Sequence, residues 1–152
     1  MQLQNGVFLK STSLLNNTVF ENCVVFIAEY NSKGALGFVI NKQYGRLLNE
    51  LEEFKQSAGF PLYEGGPVDH QHLYFVHMRP DVIEEGTAVG NGLYLGGNFQ
   101  QAVEAVNNGI ITQSHLKIFV GYTGWDTGDL EAEIEEGSWL VLPEASKDVF
   151  MT

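Results

Sequence analysis

Three histidines, His70, His72 and His77, fall within eight residues of a chain that has four in all. Imidazole is the commonest neutral metal ligand and titrates nearest neutral pH, so this run invites a metal centre or acid–base chemistry. In an extended strand His70 and His72 share a face while His77 points to the other, so at most two can converge. There is no H-E-x-x-H, and hydrogen-bonded or surface histidines are the plainer reading. His77 acting as base, with Glu131 or Asp126 as its carboxylate partner, would give a small-molecule hydrolase or a metal-assisted enzyme. Asp126, Asp129, Glu131, Glu133, Glu135 and Glu136 put six acids and no base within eleven residues. Such a run could ligate a hard cation, but it carries no EF-hand pattern and fits a solvated helix face better.

Other chemistries lack their parts. Cys23 is the sole cysteine, so an internal disulfide and a multi-thiolate metal site are excluded, and its place before the apolar run Val24 to Ala28 reads as a small buried hydrophobe. There is no G-x-S-x-G elbow for a nucleophilic serine. Gly90-x-Gly92 and Gly96-Gly97 precede a strand instead of leading from a strand into a helix, so neither a dinucleotide fingerprint nor a phosphate-binding loop is present. No cofactor is expected.

Lys and Arg number 8 against 19 Asp and Glu in 152 residues, for a net charge of −11. That balance tells against a primary role on nucleic acid or anionic membrane, which require a basic footprint. Lys42 and Arg46 are the one basic pair close enough to share a helix, and no helix-turn-helix with a basic second helix is evident. No apolar stretch is long enough for a signal core or a membrane span, and the single thiol suits a reducing cytoplasm. Length, 44% hydrophobic residues and 18% charged residues describe a single globular domain over residues 1–152.

The elements that must position these residues follow from periodicity. Val24 to Tyr30 and Ala35 to Ile40, joined by Asn31-Ser32-Lys33-Gly34, read as a β-hairpin in which Leu36, Phe38 and Ile40 share a face and Gly37 admits another backbone. Val7 to Lys10, Leu73 to His77, Leu93 to Leu95, Lys117 to Tyr122 and Trp139 to Leu142 read as further strands. Leu47, Leu48, Leu51, Phe54 and Ala58 follow helical spacing between Arg46 and Ala58, with Gly59 at the cap. A second helix is predicted from Phe99 to about Asn108, with Asn98 as N-cap, Gln101 reaching back from the third position, and Gly109 ending it. Asp129 to Glu136 alternates like a strand yet is built of strong helix formers, and is taken as a short helix closed by Gly137. Strands and helices do not alternate regularly, so an α+β domain with a mixed sheet is expected.

Gly121-Tyr122-Thr123-Gly124-Trp125-Asp126-Thr127-Gly128 is a strand running into a glycine-rich turn with a Trp, which serves either packing or as a lid or anchor over a pocket. Together with Gly34 to Asn41 and with Glu64-Gly65-Gly66-Pro67-Val68 followed by Leu73 to His77, this stretch resembles the AlgH/YqgE-like bacterial proteins. The three segments look like that family's GAxGxVIN, GGPV and GYxGWxxGQLExE…W segments, in order, over about residues 6 to 142. Asp129 stands where the family has Gln, Gly137 replaces a commoner Asn, and the chain stops at Thr152 where many members continue with a further C-terminal segment. The resemblance implies an α+β fold whose sheet bifurcates and partly closes into a pseudo-barrel with a few flanking helices. Family members are labelled transcriptional regulators on genetic grounds, with no settled biochemical activity.

The expectation is a non-enzymatic cytoplasmic binding or regulatory module that contacts a protein partner or a small ligand, with no direct nucleic-acid or membrane contact. Its site would form where Asn41, Gly65, Gly66, Pro67, His77, Gly124 and Trp125 meet, since turn backbone and short polar groups at strand ends gather into concave sites.

Overall fold

The hairpin read from Val/Ile/Phe enrichment is the centre of the molecule. In the computed structural model, which describes residues 3–142 and 148–150, the strands are β1 (Phe8–Ser11), β2 (Val24–Asn31), β3 (Gly34–Val39), β4 (Gln43–Leu47), β5 (Pro61–Glu64), β6 (Val68–His77), β7 (Thr87–Gly90), β8 (Leu93–Leu95), β9 (Leu116–Asp126) and β10 (Trp139–Leu142). Two helices, α1 (Phe99–Asn107) and α2 (Asp129–Glu135), complete an α+β domain. The strands are hydrogen-bonded in the order β10-β1-β2-β3-β9-β6-β8-β7.

Long strand β9 divides the sheet. One edge pairs antiparallel with β6, while the other pairs with β3 over Thr123 to Asp126 and in parallel with β5 over Ile118 to Val120. The sheet therefore bifurcates at β9. Among the described residues β10 and β7 end the strand path without pairing with each other, so the expected partial closure into a pseudo-barrel is not made by strand pairing.

Period-2 alternation sorts the apolar residues onto faces. Phe8, Phe26, Phe38 and Ile40 pack on one side of the hairpin with Val76 and Phe119, while Val7, Leu9, Val25, Ile27 and Val39 pack on the other with Leu130 and Trp139. Leu116, Ile118 and Val120 of β9 form a third cluster with Ala102 and Ala105 of α1. Cys23 is buried in the second cluster, as expected of a small hydrophobe. A Cβ on Gly37 would lie 2.7 Å from the Phe26 carbonyl oxygen, which is the close backbone approach its sequence position suggested.

Lys117 breaks the alternation. It shares the Phe119 face, only 2% exposed, and its Nζ donates to the carbonyls of Ile40 (2.6 Å) and Val149 (2.9 Å) while standing 4.0 Å from the centroid of the Tyr63 ring. Every ammonium proton thus has a receptor, as a buried charge requires.

Both predicted C-terminal helices form. The Asn98 side chain accepts from the Gln101 N–H, whereas the Gln101 side chain turns away from the cap to pair with Glu84. Gly137, at φ 93°, follows α2. The predicted helix between Arg46 and Ala58 does not form. Its first residues are strand β4, followed by two 3-10 turns, Leu48–Glu50 and Glu52–Phe54, with Leu51 extended between them. Tertiary pairing overrides the local pattern here: β5 has an open edge, β4 fills it, and the Leu48 N–H is drawn to the Phe60 carbonyl. Lys42 and Arg46 consequently share no helix, and the Lys42 ammonium is bound to the Val19 carbonyl. Among the described residues no helix is long and apolar enough to cross a membrane.

Candidate functional site

Two of the glycine segments lock together backbone to backbone. The Gly65 N–H donates to the Val120 carbonyl at 3.0 Å, and the Gly65 carbonyl accepts from the Val39 N–H and the Thr123 hydroxyl. Gly66, at φ 155°, passes so close to β9 that a Cβ would stand 2.3 Å from the Tyr122 carbonyl oxygen. Gly121, at φ 72°, faces it: a Cβ there would lie 2.7 Å from the carbonyl oxygens of Gly66 and Val68 and from Cδ2 of His70. No side chain fits at either place, and the left-handed conformation at Gly121 favours glycine independently.

The register of β6 against β9 shifts at a bulge between Val68 and Leu73, beside this close approach. Asp69 takes a left-handed φ of 56° and is held there by the Tyr74 hydroxyl at 2.5 Å and by His72 Nδ1 at 2.7 Å. These hydrogen bonds, Tyr74's foremost, keep the Asp69 carboxyl below its ordinary range, while burial and Asp69 push the Tyr74 hydroxyl up to about 12. The turn at Asp69 drops His70 onto Gly121. His70 Nε2 then lies 2.5 Å from Oε2 of Glu64 and 2.7 Å from the Gly66 carbonyl oxygen. Both partners are acceptors, so Nε2 carries a proton.

The His70 ring forms part of two concavities. One is a groove of about 580 Å³ whose apolar wall is Tyr44, Leu51, Phe54, Leu73, Phe75 and Phe99. Phe99 packs edge-on to Phe54 at 5.4 Å and against Phe75 at 5.1 Å. Glu52, Glu53, His70 and His72 also line it, and among the described residues no Lys or Arg does. The second, about 310 Å³, is lined by Val19, Phe20, Val39, Lys42, Glu64 and Pro67.

Of the residues predicted to meet, Gly65, Gly66 and Pro67 lie here, and Asn41 lies beside them, since the Glu64 N–H donates to the Lys42 carbonyl. The Asn41 side chain, however, is spent on the Val24 N–H and the Asn22 carbonyl, and holds the start of the hairpin. His77 and Trp125 do not join them. His77 pairs with Leu116 and Trp125 with Ala35, at opposite ends of β9, which at ~3.3 Å per residue separates them by roughly 30 Å.

His77 is fully buried between Phe75 and Tyr94, its Nε2 donating to the Gly96 carbonyl and its Nδ1 accepting from the Arg79 N–H. Burial holds its pKa below the ordinary value, and neither nitrogen is free to move a proton. Asp126, exposed, sits opposite Gly34, and Glu131 accepts from the Tyr30 hydroxyl, so the alternative constellation of His77 with either carboxylate is not assembled. Gly124 is exposed, while Trp125 turns toward Trp139 and α2 and donates its indole N–H to Glu133, which is the packing role. His70 and His72 each take a separate carboxylate.

Sequence reasoning missed Lys42, Glu64 and the aromatic wall. The available signal was an acid directly before Gly65-Gly66 with His70 six residues on, which is the reach of one tight turn.

Fold and site together define a family. A model of the AlgH-like family matches residues 8–152, and the chain belongs to it. It is 36% identical over 156 residues to a UPF0301 protein of Chlorobium phaeobacteroides, covering 99% of this chain and 80% of that protein. It is 33% identical over 140 residues to a UPF0301 protein of Bacteroides thetaiotaomicron, covering 91% and 71%. The solution structure of the AlgH protein from Pseudomonas aeruginosa is similar at a TM-score of 0.73 and 28% identity, over 94% of this chain and 79% of that one. The crystal structure of protein DIP2367 from Corynebacterium diphtheriae shares the fold, with a TM-score of 0.75 at 21% identity over 99% and 85%.

Proposed function

We propose that this chain is a non-enzymatic, cytoplasmic binding module of a regulatory system, and that its groove takes a small organic cation. The observation that carries the reading is the composition of the groove: rings from Tyr44, Phe54, Phe75 and Phe99 with the carboxylates of Glu53 and of Glu52, which also pairs with Lys55, and, among the described residues, no lysine or arginine. Aromatic faces attract ammonium groups, and the attraction strengthens where water is displaced. A net charge of −11 works in the same direction by concentrating cations near the surface. The volume, about 580 Å³, suits one small molecule. A protein interface would need roughly 800 Å² on each partner, far more than this groove offers. The same charge opposes direct DNA contact, and a regulatory effect would pass through the ligand-bound surface.

The test compares two probes of similar shape and opposite charge, phenethylamine and 3-phenylpropionate, by chemical-shift titration of the 15N-labelled protein. The amine is expected to move Leu51, Phe54, Phe75 and Phe99 together, binding about tenfold or more tightly than the carboxylate. Equal binding of the two, or shifts scattered away from the groove, would overturn the reading.

A further inference from the structure

We infer that residues 148–150 form a proton-responsive cover over the Lys117 amine, held most firmly when the amine is neutral and lifting more readily as it takes up a proton. The amine stands between three chain segments. Its Nζ donates to the Ile40 carbonyl, just past β3, and to the Val149 carbonyl, and it lies 4.0 Å from the centroid of the Tyr63 ring on β5. Two of these walls are built into the sheet. The Ile40 N–H donates to the Val24 carbonyl, and Tyr63 pairs with Gln43 on one side and Phe119 on the other. Residues 148–150 are tied differently. Among the described residues, the one hydrogen bond between this segment and the rest of the fold comes from Lys117, while the Phe150 N–H turns to Asp148 of the same segment. Apolar contact supplies the remainder: Val149, 2% exposed, packs in the first cluster with Phe38 and Phe119, and Phe150 lines a small recess together with Lys117 and Leu116.

An enclosed amine favours its neutral form, because two carbonyls and a ring replace only part of the hydration that a charge loses on burial. Burial accordingly holds Lys117 down to about 7. The titratable groups that face it are Tyr63 from β5 and Asp148 from the cover itself; β3 leads to the Ile40 carbonyl and β6 sets Val76 beside it, and neither titrates. With the cover lifted the amine meets water and returns toward its ordinary 10.5, so the open state binds the proton more tightly. Closure therefore gains about tenfold per pH unit from about 7 toward 10, and is weakest, without further change, below about 7.

Val149→Cys in the full chain reports opening of the cover, and Cys23 in the same molecule reports global unfolding. Labelling rates with Ellman's reagent are divided at each pH by those of an unstructured cysteine peptide, which removes the reagent's own pH dependence. Position 149 is expected to be about tenfold better protected at about pH 9 than at about pH 8, with Cys23 unlabelled at both. Adding Lys117→Met removes the titrating amine and should make that protection independent of pH. In the wild type, 13C-methyl saturation-transfer spectra of Val149 read the open population with no substitution, and it should fall by the same factor over the same range. Protection at position 149 that ignores pH, a pH dependence that survives K117M, labelling there only in step with Cys23, or methyl spectra without a pH-dependent minor state would each overturn the inference.

Discussion

Cδ2 of His70 lies 2.7 Å from the point at which residue 121 would carry a Cβ, so the imidazole is seated on a glycine that nothing else can replace. The two sequence segments that stand out most, around Gly65-Gly66 and around Gly121, are therefore one structure, and its product is an oriented histidine between two clefts.

Gly121→Ala is expected to cost about 3 kcal/mol, the sum of a left-handed φ of 72° imposed on alanine and a clash with two carbonyl oxygens and His70. Urea unfolding followed by tryptophan fluorescence measures it. The His70 ring resonances should move in the same variant, because relief of the clash runs through that side chain.

Glu133 accepts the indole N–H of Trp125 and of Trp139 on one oxygen, each at 3.0 Å. Glu133→Ala leaves both donors without a partner and is expected to destabilise the fold by about 2–4 kcal/mol. Glu133→Gln keeps an acceptor oxygen and should cost less than half as much. Equal losses in the two variants would show that the charge, and not the shared oxygen, is what matters.

Burial holds Lys117 down to about 7 from its ordinary 10.5, with Asp148 opposing the shift. Above that folded-state value the native protein has released the proton while the unfolded chain still binds it, so stability rises with pH from about 7 toward 10. At ~1.4 kcal/mol per unit the gain is on the order of 3–4 kcal/mol. Above about 10 the trend reverses, because Tyr74, raised to about 12 in the fold, ionises first in the unfolded chain. Urea midpoints measured across this range give the slope, and Lys117→Met is expected to flatten it.

Cys23 is fully buried, and burial pushes its thiol up despite the nearby Lys42. A thiol reagent such as Ellman's should leave the native protein unlabelled and modify one thiol per chain in denaturant. Rapid labelling under native conditions would contradict the packing of the second core cluster.

The hairpin, α1 with its Asn98 cap, and β10 were legible because each is a local pattern: period 2, a capping side chain, a short apolar run. The helix expected from Arg46 to Ala58 was not, because its first residues pair with β5 and the Leu48 N–H is drawn to the Phe60 carbonyl, contacts outside the local periodicity. The site divided the same way. Gly65 and Gly66 announced a close approach of backbones, but which backbone they approached was set by the parallel pairing of β5 with β9, a long-range contact. His77 and Trp125 drew notice for their chemistry and serve packing. His70 looked ordinary, since its orientation depends on a left-handed Asp69 within a bulge that periodicity does not report.

Intermolecular nuclear Overhauser effects from bound phenethylamine test the central claim most directly. The account predicts contacts from the probe's ring protons to Phe54 and Phe99. Contacts confined to another surface, or none at saturating probe, would contradict it.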